Sequence, residues 1–331
     1  VNFIKLLENW YKINKRDLPW RETLDPYNIW ISEIIFQQTR INQGYNYYLN
    51  FISKFPTLDN LAKATEDEVL QSWQGLGYYS RAHNLHFSAK YICSELRGRF
   101  PSTFADILTL KGVGKYTAAA IASISFHEKV PAIDGNAFRV YSRLFNCNKD
   151  ISKASTFTYF FNLMTPLMPE NPGDFNQAIM DLGSLICTPT NPSCPKCPVQ
   201  TECLAHKNNT QSTLPVKTST LKIKDESIHY AYFNCAGKFL LKKRDNKSIW
   251  KGLYEFPLFI DEYKKEYEII NTEKLHHKLS HRNLSISISE FSIKEKALYD
   301  IANKIQAIVL TKKELKSYAM PKPLEIFLQY N

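Results

Sequence analysis

Four cysteines fall within seventeen residues: Cys187, Cys194, Cys197 and Cys203, spaced C-x6-C-x2-C-x5-C. The stretches between them, TPTNPS, PK and PVQTE, are proline-rich and polar and read as loop. Four thiols this close can wrap one compact metal centre, and thiolate donors suit zinc and an iron–sulfur cluster alike. A disulfide framework is the competing reading, and it belongs to oxidising compartments. No apolar run approaches a membrane span, and the first residues, VNFIKLLENWYKINKRDLPW, lack the basic–apolar–small order of a signal peptide. An intracellular chain with a metal-binding loop is therefore expected. Cys93, Cys147 and Cys235 lie outside the cluster and read as packed thiols.

The chain has 331 residues, enough for two cores. Its net charge of +10 suits a partner with a phosphate backbone, although many soluble proteins are basic. Up to about residue 205 the pattern is helical, as in Phe3, Leu6, Leu7, Trp10 and in Ile31, Ile34, Ile35, with prolines punctuating the segments. Residues 1–207 are expected as one helical domain that includes the cysteine loop 187–203. The polar, Thr/Ser-rich run 208–227 is expected as a linker. Residues 228–331 change texture: HYAYFNCAGKFLLKK reads as two runs around a glycine turn, and Leu284-Ser-Ile-Ser-Ile-Ser alternates as a half-buried strand does.

Two stretches point to chemistry. Gly112-Val113-Gly114 opens a small-residue helix, Lys115-Tyr-Thr-Ala-Ala-Ala. A glycine hairpin at a helix start exposes backbone N–H groups and the positive end of the dipole, which suits an anion, although such turns also serve only as caps. Glu33 lies among Ile31, Ile34, Ile35 and Phe36, where desolvation raises a carboxyl pKa. From local pattern alone it equally fits a surface position on an amphipathic helix. Asp134, in PAIDGNAFRV, reads as a helix N-cap that is also placed to react.

The runs LPWR, DPYNIWISEIIFQQTR, GLGYYSRAHNL, LKGVGKYTAAAI, AIDGNAFRV and FNQAIMDLGSLIC, followed by the four cysteines, occur in this order. In that order and content the chain resembles the MutY-type adenine DNA glycosylases of the helix-hairpin-helix, endonuclease III superfamily. The resemblance is strong to about residue 205 and looser beyond. It implies a multidomain fold: an all-α helix-hairpin-helix glycosylase domain with a [4Fe–4S] loop on Cys187, Cys194, Cys197 and Cys203, and a C-terminal α+β Nudix-like domain. The implied reaction removes adenine mispaired with 8-oxoguanine or guanine in double-stranded DNA. It proceeds by base flipping and acid-assisted hydrolysis, and it leaves an abasic site.

By matching position, Glu33 resembles the family's acid and Asp134 its stabilising carboxylate, the two-carboxylate logic of glycosidases. Asn136 and Tyr116 match active-site positions beside them. Arg16, Trp20, Arg21 and Gln177 match the surroundings of the adenine pocket. Phe36, Gln37, Gln38 and Thr39 match the wedge, and Tyr78 a second intercalating residue. Gly112, Val113, Gly114 and Lys115 match the hairpin that grips phosphate, with a monovalent or divalent cation implied there. Leu279, Ser280 and His281 align with the family's Phe-Ser-His loop that reads 8-oxoguanine. Leucine at the first position removes the ring that stacking needs, whereas Ser280 and His281 keep hydrogen-bonding capacity. The resemblance further implies a monomer acting at the bacterial nucleoid in the cytoplasm, away from membranes.

Endonuclease III-type enzymes are the nearest alternative. They act on oxidised pyrimidines and also cut the strand, with a lysine amine at the position that Tyr116 holds here. A phenol cannot form a Schiff base, and 128 residues follow Cys203 where those enzymes usually end. A non-catalytic DNA-binding protein is the other alternative, against which the intact Glu33 and Asp134 stand. In the second domain the glutamates after Gly252 do not follow the spacing of a magnesium-binding Nudix box, since Leu258 stands where one is required. No diphosphate hydrolysis is expected.

Overall fold

The computed structural model describes residues 2–218, 223–245 and 249–330; residues 219–222 of the expected linker lie outside them. Twelve helices come first: α1 (Asn2–Asn14), α2 (Pro26–Ile35), α3 (Ile41–Lys54), α4 (Leu58–Lys63), α5 (Glu66–Ser72), α6 (Ser80–Glu95), α7 (Phe104–Ile107), α8 (Lys115–Phe126), α9 (Gly135–Leu144), α10 (Ala154–Met164), α11 (Pro172–Leu185) and α12 (Leu204–Lys207). There follow β1 (Lys224–Cys235), β2 (Lys238–Lys243), β3 (Tyr254–Glu255), α13 (Asp261–Glu266), β4 (Ile269–Leu279), β5 (Arg282–Ser292), α14 (Glu295–Ile305), β6 (Ile308–Thr311) and α15 (Lys322–Tyr330). Among the described residues no helix is long and apolar enough to cross a membrane.

The chain divides into two compact units, residues 1–62 with 87–219 and residues 63–86 with 220–331. In the first unit, α2 starts where the Asp25 carboxylate accepts from the Tyr27 N–H at 2.9 Å and Pro26 occupies the first turn. Ile29, Trp30, Ile31, Ser32, Ile34 and Ile35 are all buried, so this helix is enclosed on nearly every side. It packs on α8, whose Thr117–Ile124 stretch is buried throughout. Small residues there let the two backbones approach. A second core joins α1, α9, α10 and α11 through Leu7, Tyr141, Phe160 and Phe175, and Cys187, Cys197 and Cys203 pack against it.

The expected linker is partly structured. Buried Arg143 donates from Nε to the Leu214 carbonyl at 3.0 Å, and the Ile151 N–H donates to the Val216 carbonyl at 2.9 Å. Residues 210–218 thus lie on the helical unit, because a buried guanidinium needs acceptors and backbone carbonyls supply them. The sheet then begins at Lys224, inside the run expected as linker.

The second unit is a six-stranded sheet in the order β3-β2-β1-β5-β4, with β6 on β2. The expected glycine turn joins β1 to β2 at Ala236-Gly237, both at positive φ (49° and 80°), a conformation glycine takes freely. The Ser-Ile alternation is β5, whose Leu284, Ile286 and Ile288 enter one core with Phe327 and Leu328 of α15. The opposite face buries Phe233 and Phe291 with Leu298 and Ile301 of α14.

The 63–86 segment belongs to this unit, although the sequence places it in the helical domain. Asp67 accepts from Lys243 Nζ at 2.5 Å and from the Tyr254 hydroxyl at 3.0 Å. The His83 ring bridges Glu66 Oε1 and the Lys251 carbonyl, both at 2.9 Å. A Cβ on Gly252 would meet His83 Cε1 at 2.9 Å, so this approach requires glycine.

Within the sheet, buried Arg244 and Glu255 are ion-paired, and Tyr230 donates to Glu255 at 2.7 Å. Removing Glu255 takes away the ion-pair partner of buried Arg244 and the acceptor of the Tyr230 hydroxyl. Glu255→Ala is expected to lower unfolding free energy by about 3–5 kcal/mol in urea titrations; a loss below about 1 kcal/mol would show that the pair is dispensable.

Candidate active site

Asp134 caps α9. One of its carboxylate oxygens accepts from the Ala137 N–H at 2.7 Å, and the other from Asn136 Nδ2 at 2.8 Å. Burial pushes its pKa up, opposed by these donors and by the charge of Arg139. With N–H donors on both oxygens, the acceptor-only carboxylate is the form that fits. Glu33 lies on α2, flanked by the buried Ile34 and Ile35. Burial raises its pKa to about 7; the nearby Tyr116 hydroxyl, which donates to Met180 Sδ at 3.5 Å, opposes this, the Asp134 charge adds to it, and Arg21 opposes it. Burial and the Glu33 charge hold the Tyr116 phenol well above its ordinary value. Three elements therefore converge: α2 brings Glu33, α8 brings Tyr116, and the cap of α9 brings Asp134. Burial raises both carboxyls; N–H donors on both oxygens oppose that shift at Asp134, whereas Glu33 lies among aliphatic side chains.

Arg139 supports this arrangement, and the sequence reading missed it. Its Nη2 donates to Asn136 Oδ1 at 2.8 Å and to the Gly183 carbonyl at 2.7 Å, and its Nε donates to the Cys187 carbonyl at 2.7 Å. Gly183 lies so close that a Cβ there would sit 2.6 Å from that of Asn136. Asp181 was also missed. It is fully buried, and Arg21 grips it bidentately at 2.7 and 2.8 Å while Arg16 Nε donates at 2.8 Å. Against burial, these arginines hold its carboxyl below the usual range. Arg16 and Arg21 are thereby committed to Asp181. The available signal was the one used for Glu33: a carboxylate inside an apolar run, here IMDLG.

The other expected residues fall as follows. Trp20 packs on Phe36 with the rings tilted by 34° and 4.4 Å between centres, and a Cβ on Gly44 would meet Phe36 at 2.6 Å, so Phe36 is packed rather than free-standing. Gln37 donates to Thr117 at 3.1 Å; Gln38 is exposed at φ 59°; the Thr39 hydroxyl turns back to the Gln37 carbonyl at 3.5 Å. Gln177 accepts from Tyr11 at 3.3 Å. Gly112 takes φ 82°, Val113 is buried, and Gly114 stands at the N-cap of α8 with no side chain to satisfy the first N–H groups. The Lys115 amine lies 4.7 Å from the centre of the Phe157 ring, while neighbouring Tyr116 reaches Glu33. Tyr78 belongs to the second unit, 42% exposed at φ 50°. Leu279 packs against the sheet core, and Ser280 and His281 form the two-residue turn between β4 and β5.

Cys187, Cys194, Cys197 and Cys203 are all free thiols. Burial, and then the nearness of the neighbouring sulfurs, raises the pKa of Cys194, Cys197 and Cys203, with Cys197 pushed up to about 12. Arg143 Nη1 donates to Cys187 Sγ at 3.3 Å, and N–H groups of Val199, Ala205 and His206 face Cys197 and Cys203. Cationic and N–H donors around sulfur favour thiolates, so the donor set fits a thiolate-bound metal centre. Among the described residues no three His, Cys, Asp or Glu side chains converge as ligands of a single ion do.

A family model for HhH-GPD superfamily base excision DNA repair proteins matches residues 31–164, and one for the NUDIX domain matches residues 229–330. An adenine DNA glycosylase of Buchnera aphidicola (subsp. Schizaphis graminum) is 36% identical over 299 residues, 86% of each chain. The human adenine DNA glycosylase is 42% identical over 218 residues, 63% of this chain and 40% of that one. Among solved structures, a thermostable thymine-DNA glycosylase gives a TM-score of 0.58 at 30% identity, covering 62% of this chain and 95% of that one. An endonuclease III–DNA complex gives 0.54 at 19% identity, covering 63% and 96%, a likeness of fold.

Two outcomes test this geometry. Gly183→Ala displaces Asn136 and is expected to slow single-turnover excision about 100-fold with DNA binding retained; a wild-type rate would refute the role of the close approach. Glu33 protonation supplies the second test. As pH rises from the ordinary carboxyl value to about 7, the unfolded chain ionises while the folded one keeps its proton, so stability falls. Above that range the penalty is on the order of 3 kcal/mol. Glu33→Gln is therefore expected to be more stable than wild type at pH 8 and no more stable at pH 4. Equal stability curves would place Glu33 in an ordinary solvated environment.

Proposed function

We propose a mechanism from one premise: the chain belongs to the adenine DNA glycosylase family and is a DNA N-glycosylase of base excision repair. The substrate is adenine opposite 8-oxoguanine, and less efficiently opposite guanine, in duplex DNA. The observation that carries this reading is the pair Glu33 and Asp134, one carboxyl in an apolar setting with its pKa near 7 and the other held by N–H donors.

The adenine leaves the stack at a cost of a few kcal/mol. Glu33 donates its proton to the purine's imidazole nitrogen. The C1′–N9 pair departs with the base, and the ionised Asp134 stabilises the cationic sugar. Water adds at C1′ and its proton returns to Glu33. Asn136 orients Asp134, and Tyr116 orients Glu33. Arg16, Trp20, Arg21 and Gln177 frame the base pocket, with the two arginines acting through Asp181. Gln37, Gln38 and Thr39, backed by Phe36, fill the vacated stack, aided by Tyr78. The N–H groups of the 112–115 hairpin would hold a phosphate, beside which a cation could bind. Cys187, Cys194, Cys197 and Cys203 would hold a [4Fe–4S] cluster, which would tie the loop together. Ser280 and His281 read the lesion.

Tyr116 at the position of the lyase amine favours base removal without strand scission. A single-turnover assay on a duplex with one adenine opposite 8-oxoguanine is expected to give breaks only after hot alkali. The rate of the chemical step is expected to fall as pH rises through about 7, and Glu33→Gln to abolish it while binding persists. Breaks without alkali, or an active Glu33→Gln enzyme, would overturn the mechanism.

A further inference from the structure

The sheet face that carries Phe233 and Phe291 is covered by α14 and by Phe259, Tyr263 and Tyr267 around α13. A polar row lies on the same face. Thr272 Oγ1 and Ser289 Oγ lie 3.0 Å apart, and Ser289 Oγ lies 2.9 Å from His229 Nε2. The His229 ring stacks flat on Phe259, 4.0 Å between centres. Beyond this row the same face continues toward the Ser280–His281 turn. Register places Lys274, His276 and Lys278 of β4 beside Ser287, Ser285 and Asn283 of β5. The three β4 side chains are exposed. The alternate residues Leu275 and Leu279 pack into the opposite core, so the strand cannot rotate its lysines away.

The face carries hydroxyl groups and ends at an edge strand that bears ammonium groups. Its carboxylate, Asp225, is engaged by Asn283 Nδ2 at 2.8 Å. Lysines on an edge strand discourage strand addition. Ammonium and hydroxyl groups together suit phosphate oxygens. Four residues of strand separate the lysines by about 13 Å. That is roughly the axial rise of four nucleotides on one DNA strand.

We propose that this open face, edged by Lys274 and Lys278, holds the phosphate backbone of duplex DNA beside the Ser280–His281 turn. The placement beside the lesion rests on the reading of that turn given above; the phosphate contact does not. The surface adds affinity without sequence or lesion information, so it holds the duplex while the turn samples the base.

The test is the salt dependence of binding by the full-length protein. A labelled undamaged duplex is titrated by fluorescence anisotropy from 50 to 300 mM KCl. Lys274→Ala/Lys278→Ala is expected to reduce the slope of log affinity against log salt by about 1.8, two phosphate contacts at about 0.9 each. Lys274→Arg/Lys278→Arg is expected to keep the slope. Single-turnover excision at saturating DNA is expected to be unchanged in both. An unchanged slope, a loss seen only on lesion-containing duplex, or a change in oligomeric state instead of DNA affinity would overturn the proposal. Ser280→Ala/His281→Ala separates it from the lesion reading: if that variant keeps its preference for 8-oxoguanine while the lysine variant loses slope, the lesion reading fails and the phosphate surface stands.

Discussion

The buried guanidinium of Arg139 is the contact on which the carboxylate site depends. A cation taken out of water costs several kcal/mol unless its N–H groups find acceptors. Here the acceptors are the Gly183 and Cys187 carbonyls, at and just past the end of α11, and the Asn136 amide oxygen. A helix C-terminus offers unpaired carbonyls and the negative end of its dipole, so it is where a buried arginine is cheapest to hold. Once Arg139 is seated, its grip on Asn136 Oδ1 fixes which way that amide points. Nδ2 must then face Asp134. The order of the chain α11 end, Arg139, Asn136, Asp134 is an order of constraint, and Gly183 is what lets α9 come close enough for it.

The two carboxyls differ because their neighbours differ in kind. Asp134 has donors on both oxygens, supplied by its own helix start. Glu33 has aliphatic side chains and one phenol. Neither neighbourhood is exotic, since caps and buried helix faces occur in every helical domain. The chemistry comes from bringing a cap and a buried face together, so that the charge on Asp134 further discourages ionisation of Glu33.

Much of this was legible. Helical periodicity, the small-residue helix, the strand alternation of 284–289 and the spacing of the thiols all depend on near neighbours, which sequence records directly. The apolar company of Glu33 is of that kind too, and the structure turns it into a raised pKa. What was missed has a common cause. Arg139 and Arg143 bond to backbone carbonyls of residues 183, 187, 188, 189 and 214, and a carbonyl looks the same under every side chain. For that reason the Thr/Ser-rich run read as linker although its main chain is an acceptor for Arg143. Segment 63–86 has no change of composition to mark it, and only long-range partners such as Lys243 and Tyr254 reveal which unit it joins. Asp181 was legible in principle, because burial of a carboxylate demands a cation and two arginines stood waiting in KRDLPWR.

Adjacent positions at the start of α8 point their side chains to different places. Consecutive helix positions diverge by about 100°, so Lys115 and Tyr116 cannot serve the same site. The amine of Lys115 goes over the Phe157 ring, where a cation is held by the π face, and the phenol of Tyr116 goes to Glu33. Lys115, one residue before Tyr116, therefore points its amine away from the two carboxyls. Its contribution is charge beside the 112–114 hairpin, on the side where the free N–H groups of α8 already favour an anion. In the mechanism proposed above, the same turn of helix would both face an anion and orient an acid, and each side chain's direction would decide which of the two it serves.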